Sequence, residues 1–298
     1  MACDLHCHTK ISDGSLGIEE VMALAKRRKL SAVAITDHDS TAGATRGVII
    51  GKRMDLPVIH AVEFSTTDTA RGRNAHLICY LCNIPDRLEG VCKRNIESRK
   101  KTVAEQIKRV MRYYPISVEM ILKCAAGSAN VYDKHIMHAL VDGGYADGLF
   151  GTTYQKLFGP GGSAYAYPEY TDTREVLDII HSAGGVAVLA HPYEEDTDKT
   201  AGASSGVSGA SSTSQASAEA LMEEMVSLGL DGIEVWSPCH SEQQTAQLIE
   251  FARDNRLLMT GGSNFHGMYA PNPRPIGSVT VENEVVQELL NFKTAHKR

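Results

Sequence analysis

Nowhere does the 298-residue chain hold the roughly 18 consecutive apolar residues that a membrane-spanning helix requires. Its first residues also lack the basic-then-apolar pattern of a secretory leader, so a cytoplasmic protein without a membrane partner is expected. Positive charge is not in excess: 30 Lys and Arg stand against 36 Asp and Glu, a formal net charge of -6. That balance argues against broad electrostatic binding to long duplex nucleic acid, while leaving room for a local pocket that accepts phosphate. Cysteine is sparse and odd in number, with seven residues, so a disulfide framework is excluded. Cys79 and Cys82 have Cys-x-x-Cys spacing, but they lie in an apolar run without a second pair and read as core thiols rather than a zinc site.

What is present is histidine and carboxylate at the ends of apolar runs. The chain opens with Asp4-Leu5-His6-Cys7-His8, then Asp13, then Thr36-Asp37-His38-Asp39. Alternation along a strand turns His6 and His8 to one face and Cys7 to the other, which suits two imidazoles to one metal ion. Ile18, Val21, Met22 and Ala25 recur at helical spacing, with Glu19 and Glu20 in the first turn and basic residues in the last. Residues 31–36 read as a buried strand, 42–53 as a helix, and 57–62 as a strand ending at Glu63. A turn over 68–73 leads into a fourth strand beginning near His76, and a hairpin there would make Glu63 and His76 neighbours.

From about residue 87 to 168 the alternation stops and the pattern is helical. Residues 1–86 and 169–298 are therefore read as one α/β barrel domain carrying a helical insertion subdomain over 87–168. The rhythm resumes with a strand at 186–190 ending in His191, a strand at 232–236, and a strand at 257–260 followed by Gly261-Gly262-Ser263-Asn264-Phe265-His266. Between them, 194–218 is almost wholly Ser, Ala, Gly, Thr and Asp, a composition expected to form a flexible low-complexity loop. Seven strands alternating with helices point to a barrel-like fold, in which ligand-type residues at the carboxyl ends of strands converge.

In order and spacing, the set His6, His8, Asp13, His38, Glu63, His76, His191, Asn264 and His266 resembles the PHP (polymerase and histidinol phosphatase) family of metal-dependent phosphoesterases. The segments that carry the likeness are residues 4–8, 36–39, 185–192, 232–235 and 262–266, so it spans nearly the whole chain apart from the low-complexity loop. The branch it is most similar to comprises stand-alone nucleotide bisphosphate phosphatases and 5'-3' exoribonucleases of short RNA. The resemblance implies a distorted (β/α)7 barrel with two or three divalent ions, of which Mn, Fe or Zn suits a donor set without thiolate. Carried over residue by residue, His6, His8, Glu63 and Asn264 would surround one ion. Glu63 would bridge to a second held by His76 and His191, and Asp13, His38 and His266 would hold a third.

Such a cluster would acidify a water nucleophile and clamp phosphate oxygens. The implied substrates are a 3',5'-bisphosphonucleoside, cleaved to a nucleoside 5'-monophosphate and phosphate, or a short oligoribonucleotide trimmed from its 5' end. Where relatives carry Arg-Pro-His at a helix start in the insert, this chain reads Asp133-Lys134-His135. Lys134 and His135 are thus candidate substrate contacts, and His240 is a third. Asp37 and Asp39 are read as either orienting His38 or capping the next helix. The family pattern has Asp where this chain has Asn264, and an amide lends oxygen but no charge. Two alternatives stand beside the nucleotide reading: a phosphatase of a small phosphorylated metabolite of the histidinol-phosphate type, and a weakly active nucleotide-binding module on account of Asn264.

Overall fold

The computed structural model describes residues 2–194 and 212–295. Its elements in chain order are β1 (Ala2–Cys7), α1 (Ile18–Arg27), β2 (Ala32–Ile35), α2 (Ala42–Met54), β3 (Val58–Asp68) and β4 (Arg73–Tyr80). Four helices follow, α3 (Asp86–Val110), α4 (Val118–Cys124), α5 (Asp133–Asp142) and α6 (Thr152–Phe158). Then come α7 (Thr173–Ser182), β5 (Val186–Ala190), α8 (Ser212–Ser227), β6 (Gly232–Trp236), α9 (Glu242–Asp254), β7 (Leu258–Gly261), β8 (Val281–Glu282) and α10 (Asn283–Ala295).

The eight strands form one sheet in the order β7-β6-β5-β4-β3-β2-β1-β8. Parallel pairing holds throughout except around β4, which is antiparallel to both β3 and β5, and at the short edge strand β8. The sheet curls until its two ends meet: Cys7 bridges Phe265, and the His8 amide donates to the Phe265 carbonyl at 2.8 Å. The result is a nearly closed α/β barrel, with β8 as a strand beyond the seven expected. That strand is only two residues long, too short to show as a sequence period.

Asp4 locks this closure. Fully buried, it accepts hydrogen bonds from the Ser263 amide (2.9 Å), the Ser263 hydroxyl (2.6 Å) and the Gly277 amide (2.8 Å). Removing the acceptor strands buried donors, each at a cost of about 1–3 kcal/mol. We expect Asp4→Ala to lower unfolding free energy by about 3 kcal/mol or more. A urea midpoint equal to that of the parent would show that closure does not depend on this carboxylate.

Period-two alternation sorts the strand side chains. On β3, Val62 and Phe64 face outward onto Val176, Leu177 and Ile180 of α7, in one cluster with Leu77 and Cys79 of β4. Glu63 and Ser65 take the opposite face, as do His76 and Ile78 on β4. α7 begins where Asp172 accepts from the Arg174 amide at 2.9 Å, and α1 where Glu20 reaches back to the Gly17 amide at 2.7 Å. The four helices α3 to α6 and their connections make up residues 86–158, and Val110, Ile121, Ile136, Leu140 and Leu157 form a core of their own there.

The 194–218 stretch departs from its expected loop character in part. Residues 195–211 lie outside the described residues, but α8 already begins at Ser212. Ala218, Leu221, Met222 and Met225 bury against the α7 side of the barrel, and this apolar stripe extends a helix into a segment whose composition alone suggested none. Among the described residues no helix is long and apolar enough to cross a membrane, and no disulfide forms.

Candidate metal centre

The barrel mouth gathers the residues in a defined order. β1 delivers His6 and His8; β2 ends just before Asp37-His38-Asp39; β5 ends at Ala190, immediately before His191; β7 ends three residues before Asn264. β4 contributes from its beginning rather than its end because it runs antiparallel. His76 pairs with Ser65 on one side and Ala190 on the other, which brings it level with the strand ends of its neighbours.

Glu63 stands at the centre, fully buried. Its Oε2 lies 3.2 Å from His6 Nε2, 3.1 Å from His8 Nε2 and 3.4 Å from His38 Nδ1. Its Oε1 lies 3.2 Å from His76 Nδ1 and 3.1 Å from His191 Nε2. One carboxylate thus addresses five imidazoles, three with one oxygen and two with the other. Asp13 forms a second focus, with Oδ1 at 3.2 Å from His266 Nε2, 3.7 Å from His8 Nδ1 and 3.9 Å from His38 Nε2. Ring nitrogens also face each other, His6 Nε2 to His8 Nε2 at 3.1 Å and His76 Nδ1 to His191 Nε2 at 3.4 Å.

This arrangement fits divalent metal. His8 Nδ1, His38 Nδ1 and Asn264 Oδ1 are buried without a hydrogen-bond partner, an expensive state for polar atoms unless a ligand satisfies them. Three sets of donor atoms lie close enough to share an ion: His8, Asp13, His38 and His266; His6, His8 and Glu63; His38, Glu63 and His76. His8 and His38 each belong to two of these sets, so geometry divides the ligands less sharply than the three separate groups expected from sequence. Asn264 sits in the left-handed backbone region (φ 47°), which Asn and Asp adopt more readily than other side chains.

Electrostatics prepare most of these donors. Burial, together with the nearby His266, pushes His8 down to about 3, and burial holds His38 well below the usual imidazole range, so both rings are neutral. Burial also acts to lower His6, but Glu234 and Glu63 outweigh it and hold that ring well above its ordinary value. For Glu63 and Asp13 burial acts upward and is overcome, by His6, His38 and His76 in one case and by His266, Lys134 and His38 in the other. Both stay ionised.

A supporting ring of carboxylates positions the donors. Glu234 Oε1 faces His6 Nδ1 at 2.9 Å while Oε2 accepts the His191 amide at 2.9 Å. Glu194 faces His191 Nδ1 at 3.1 Å and pairs with Arg274 at 3.0 Å. Asp37 accepts from the Thr9 amide and hydroxyl (2.7 and 2.8 Å) and the Ser12 hydroxyl (2.7 Å), fixing the loop that carries Asp13. Asp39 accepts from Asn95 (2.7 Å) and Arg99 (3.1 Å), and so ties His38 to α3. Neither aspartate caps α2, whose N-cap is Thr41. Sequence reasoning did not assign roles to Glu234 or Glu194. A charged residue inside the apolar run Ile233-Glu234-Val235 was the available signal for the first.

The candidate substrate contacts divide. Lys134 lines a cavity of about 450 Å³ over the cluster, with its ammonium on Asp13 Oδ2. His135 and His240 do not line it. His135 is buried behind the wall, its Nδ1 accepting from the Tyr132 amide at 3.1 Å, and His240 donates its Nδ1 proton to the Val235 carbonyl at 2.9 Å. Arg73, Arg99 and Arg274 line the same cavity, as do Phe150, Tyr154 and Tyr167.

Comparison with known proteins agrees with this geometry. The PHP domain signature matches residues 4–93. Phosphoribosyl 1,2-cyclic phosphate 1,2-diphosphodiesterase of Eggerthella lenta is 32% identical over 272 residues, covering 91% of this chain and 96% of that protein. The chain belongs to the PHP family. It is accordingly a metal-dependent phosphoesterase, as its resemblance to that family implied. The 3',5'-nucleoside bisphosphate phosphatase of Chromobacterium violaceum is 27% identical, covering 88% of this chain and 86% of its own. Among solved structures, a protein of Bifidobacterium adolescentis described as a metal-dependent phosphoesterase superposes with a TM-score of 0.82 at 25% identity, covering 97% of this chain and 95% of the other.

Proposed function

We propose that this PHP enzyme hydrolyses a phosphate ester of a small phosphorylated ribose compound, with a 3',5'-bisphosphonucleoside as the first candidate and a nucleoside 5'-monophosphate plus phosphate as products. The observation that carries the reading is Glu63, whose two oxygens face five imidazoles beneath a cavity with both cationic and aromatic lining. His6, His8, Glu63 and Asn264 would hold one ion, Glu63, His76 and His191 a second, and Asp13, His38 and His266 a third. A donor set of imidazole and carboxylate without thiolate suits Mn, Fe or Zn.

Bound ions of this kind supply Lewis acidity, making water a stronger nucleophile and offsetting charge on the phosphoryl group. The chain itself does the rest. Glu234 keeps the His6 ring turned so that Nε2 faces the centre, and Asp37 holds the Asp13 loop in place. Lys134 brings a positive charge to the cavity wall beside Asp13, where it meets a phosphate oxygen. Phe150 and Tyr167, from the 87–168 insert, give a base an apolar surface, which favours a nucleotide. His135 acts behind that wall, by fixing the start of α5.

A second reading is favoured by the 32% identical relative, whose name specifies a cyclic phosphate of phosphoribose. Short oligoribonucleotides form a third substrate set, since relatives from Salmonella typhimurium and Escherichia coli are named 5'-3' exoribonucleases. The deciding measurement is product formation with Mn²⁺: AMP and phosphate from 3'-phosphoadenosine 5'-phosphate, the ring-opened phosphate monoester from phosphoribosyl 1,2-cyclic phosphate, and nucleoside 5'-monophosphates from a short 5'-phosphorylated oligoribonucleotide. AMP formation faster than turnover of the other two supports the nucleoside bisphosphate. Preference for the cyclic ester moves the enzyme to the second reading. Asn264→Asp, which the backbone accommodates, is expected to tighten metal binding and raise activity at limiting Mn²⁺ about tenfold. An unchanged metal dependence would remove Asn264 from the ligand set.

Metal loading also has a pH signature. His6 carries a proton that must leave before Nε2 can act as a ligand. Apparent affinity is therefore expected to rise with pH by about tenfold per unit below the His6 pKa, with release of about one proton per cluster. Titrating the unbuffered protein with Mn²⁺ in a pH-stat checks this, and loading without proton release counts against the assignment.

A further inference from the structure

A second constellation of metal-ligating side chains lies outside the catalytic cavity, on the helical insert. Cys124 ends α4, and His138 and Asp142 stand one turn apart on α5, which packs against α4. One donor atom from each lies within 4.8 Å of the other two. His138 Nε2 is 3.7 Å from Asp142 Oδ1, with the two side chains 26% and 60% exposed, so ions in solution have access. None of the three lines the catalytic cavity.

The other ring nitrogen of His138 is already engaged. Nδ1 and the Tyr269 hydroxyl share a hydrogen bond at 2.7 Å, and Tyr269 is buried. A histidine metal ligand characteristically donates its second N–H to such a partner, which fixes the tautomer and aims the free nitrogen outward. Here the tautomer that donates to Tyr269 leaves the Nε2 lone pair directed at Asp142. We propose that Cys124, His138 and Asp142 form a separate binding site for a thiophilic divalent cation, Zn²⁺ above all, with water completing a tetrahedron.

The donor chemistry selects the ion. Thiolate, imidazole and carboxylate together match Zn²⁺ or Co²⁺ and disfavour Mg²⁺ or Ca²⁺, which prefer oxygen alone. Ligand atoms around zinc stand roughly 3.3–3.8 Å apart for bonds of about 2.0–2.3 Å, so small side-chain rotations close the site. A dication also neutralises the thiolate and carboxylate that would otherwise repel each other. Tyr269 in turn lines the catalytic cavity and packs edge-on against His135 at 5.3 Å, so an ion here steadies part of the substrate wall.

Cobalt distinguishes this site from the catalytic one, because the catalytic donor set contains no thiolate. Enzyme preloaded with Mn²⁺ is titrated with Co²⁺ while near-ultraviolet thiolate-to-cobalt charge transfer is recorded. The expected result is a band that saturates at one cobalt per chain and is bleached by Zn²⁺. Cys124→Ser should abolish it while leaving Mn²⁺-supported phosphoesterase activity unchanged. Asp142→Asn, at an exposed position that folding tolerates, should keep the band but weaken cobalt affinity about tenfold. No band in the parent protein, a band that survives Cys124→Ser, or unchanged affinity in Asp142→Asn would each overturn the proposal.

Discussion

Glu63→Gln is expected to lower phosphate release by about 10³-fold or more and to reduce the number of metal ions retained per chain. Both oxygens of Glu63 face imidazoles, and a bridging role needs both of them charged or lone-pair bearing. Glutamine keeps the volume but replaces one oxygen with a donor that points N–H groups at His76 and His191 or at His6 and His8. The loss of Lewis-acid assistance is worth several kcal/mol, about 4 for the stated factor. Metal analysis of the purified variant beside its steady-state rate checks this. Full metal content with a near-parent rate would remove Glu63 from the centre. Because Glu63 is buried with five histidines around it, unfolding must be monitored in parallel, and a folded variant that has lost metal is the predicted outcome.

Glu234→Ala is the second large effect, of a different kind. Glu234 contributes no atom to the facing donors; it holds the His6 ring through Oε1 and the His191 backbone through Oε2. Removing such a partner typically costs about 10–100-fold in metal affinity or activity. The midpoint of Mn²⁺ activation should therefore shift upward by that factor, while the rate at saturating Mn²⁺ returns to within a few-fold of the parent. A loss that added metal does not recover would mean that Glu234 acts on the reaction or on folding and not through His6.

The two effects differ in how visible they were in the amino-acid order. Glu63 follows the apolar run 57–62 and fits a recurring pattern, so it was readable as a candidate before any coordinates, although β3 does not end there but continues to Asp68. Glu234 sits within a strand of the same kind, between Ile233 and Val235, and nothing local says which ring it will meet. His6 is 228 residues away in sequence, and only barrel closure brings β1 and β6 to a common mouth. Lys134 was readable as a charged residue at a helix start in the insert. His135 was readable by its match to the relatives' Arg-Pro-His stretch and His240 by its place just past a strand, but folding turned both towards backbone groups, where they serve the helix start of α5 and the loop after β6.

The low-complexity stretch gives the same lesson in reverse. Composition around 212–218 favours no structure, yet the residues that follow, Leu221, Met222 and Met225, find a ready apolar surface on α7 and β5 and carry the helix back to Ser212. Burial available in the tertiary structure outweighs weak local preference.

By itself, then, the sequence determined the strand-helix alternation and the candidate ligand types at the ends of apolar runs, because these rest on local periodicity and on side-chain chemistry, while membership in a metal-dependent family came from the resemblance of its motifs to that family. Tertiary structure alone decided that Glu63 faces five rings, that antiparallel β4 lifts His76 to the same mouth, and which carboxylate orients which imidazole. Those are contacts between segments far apart in the chain, set by sheet register and barrel closure, and no local pattern encodes the distance between them.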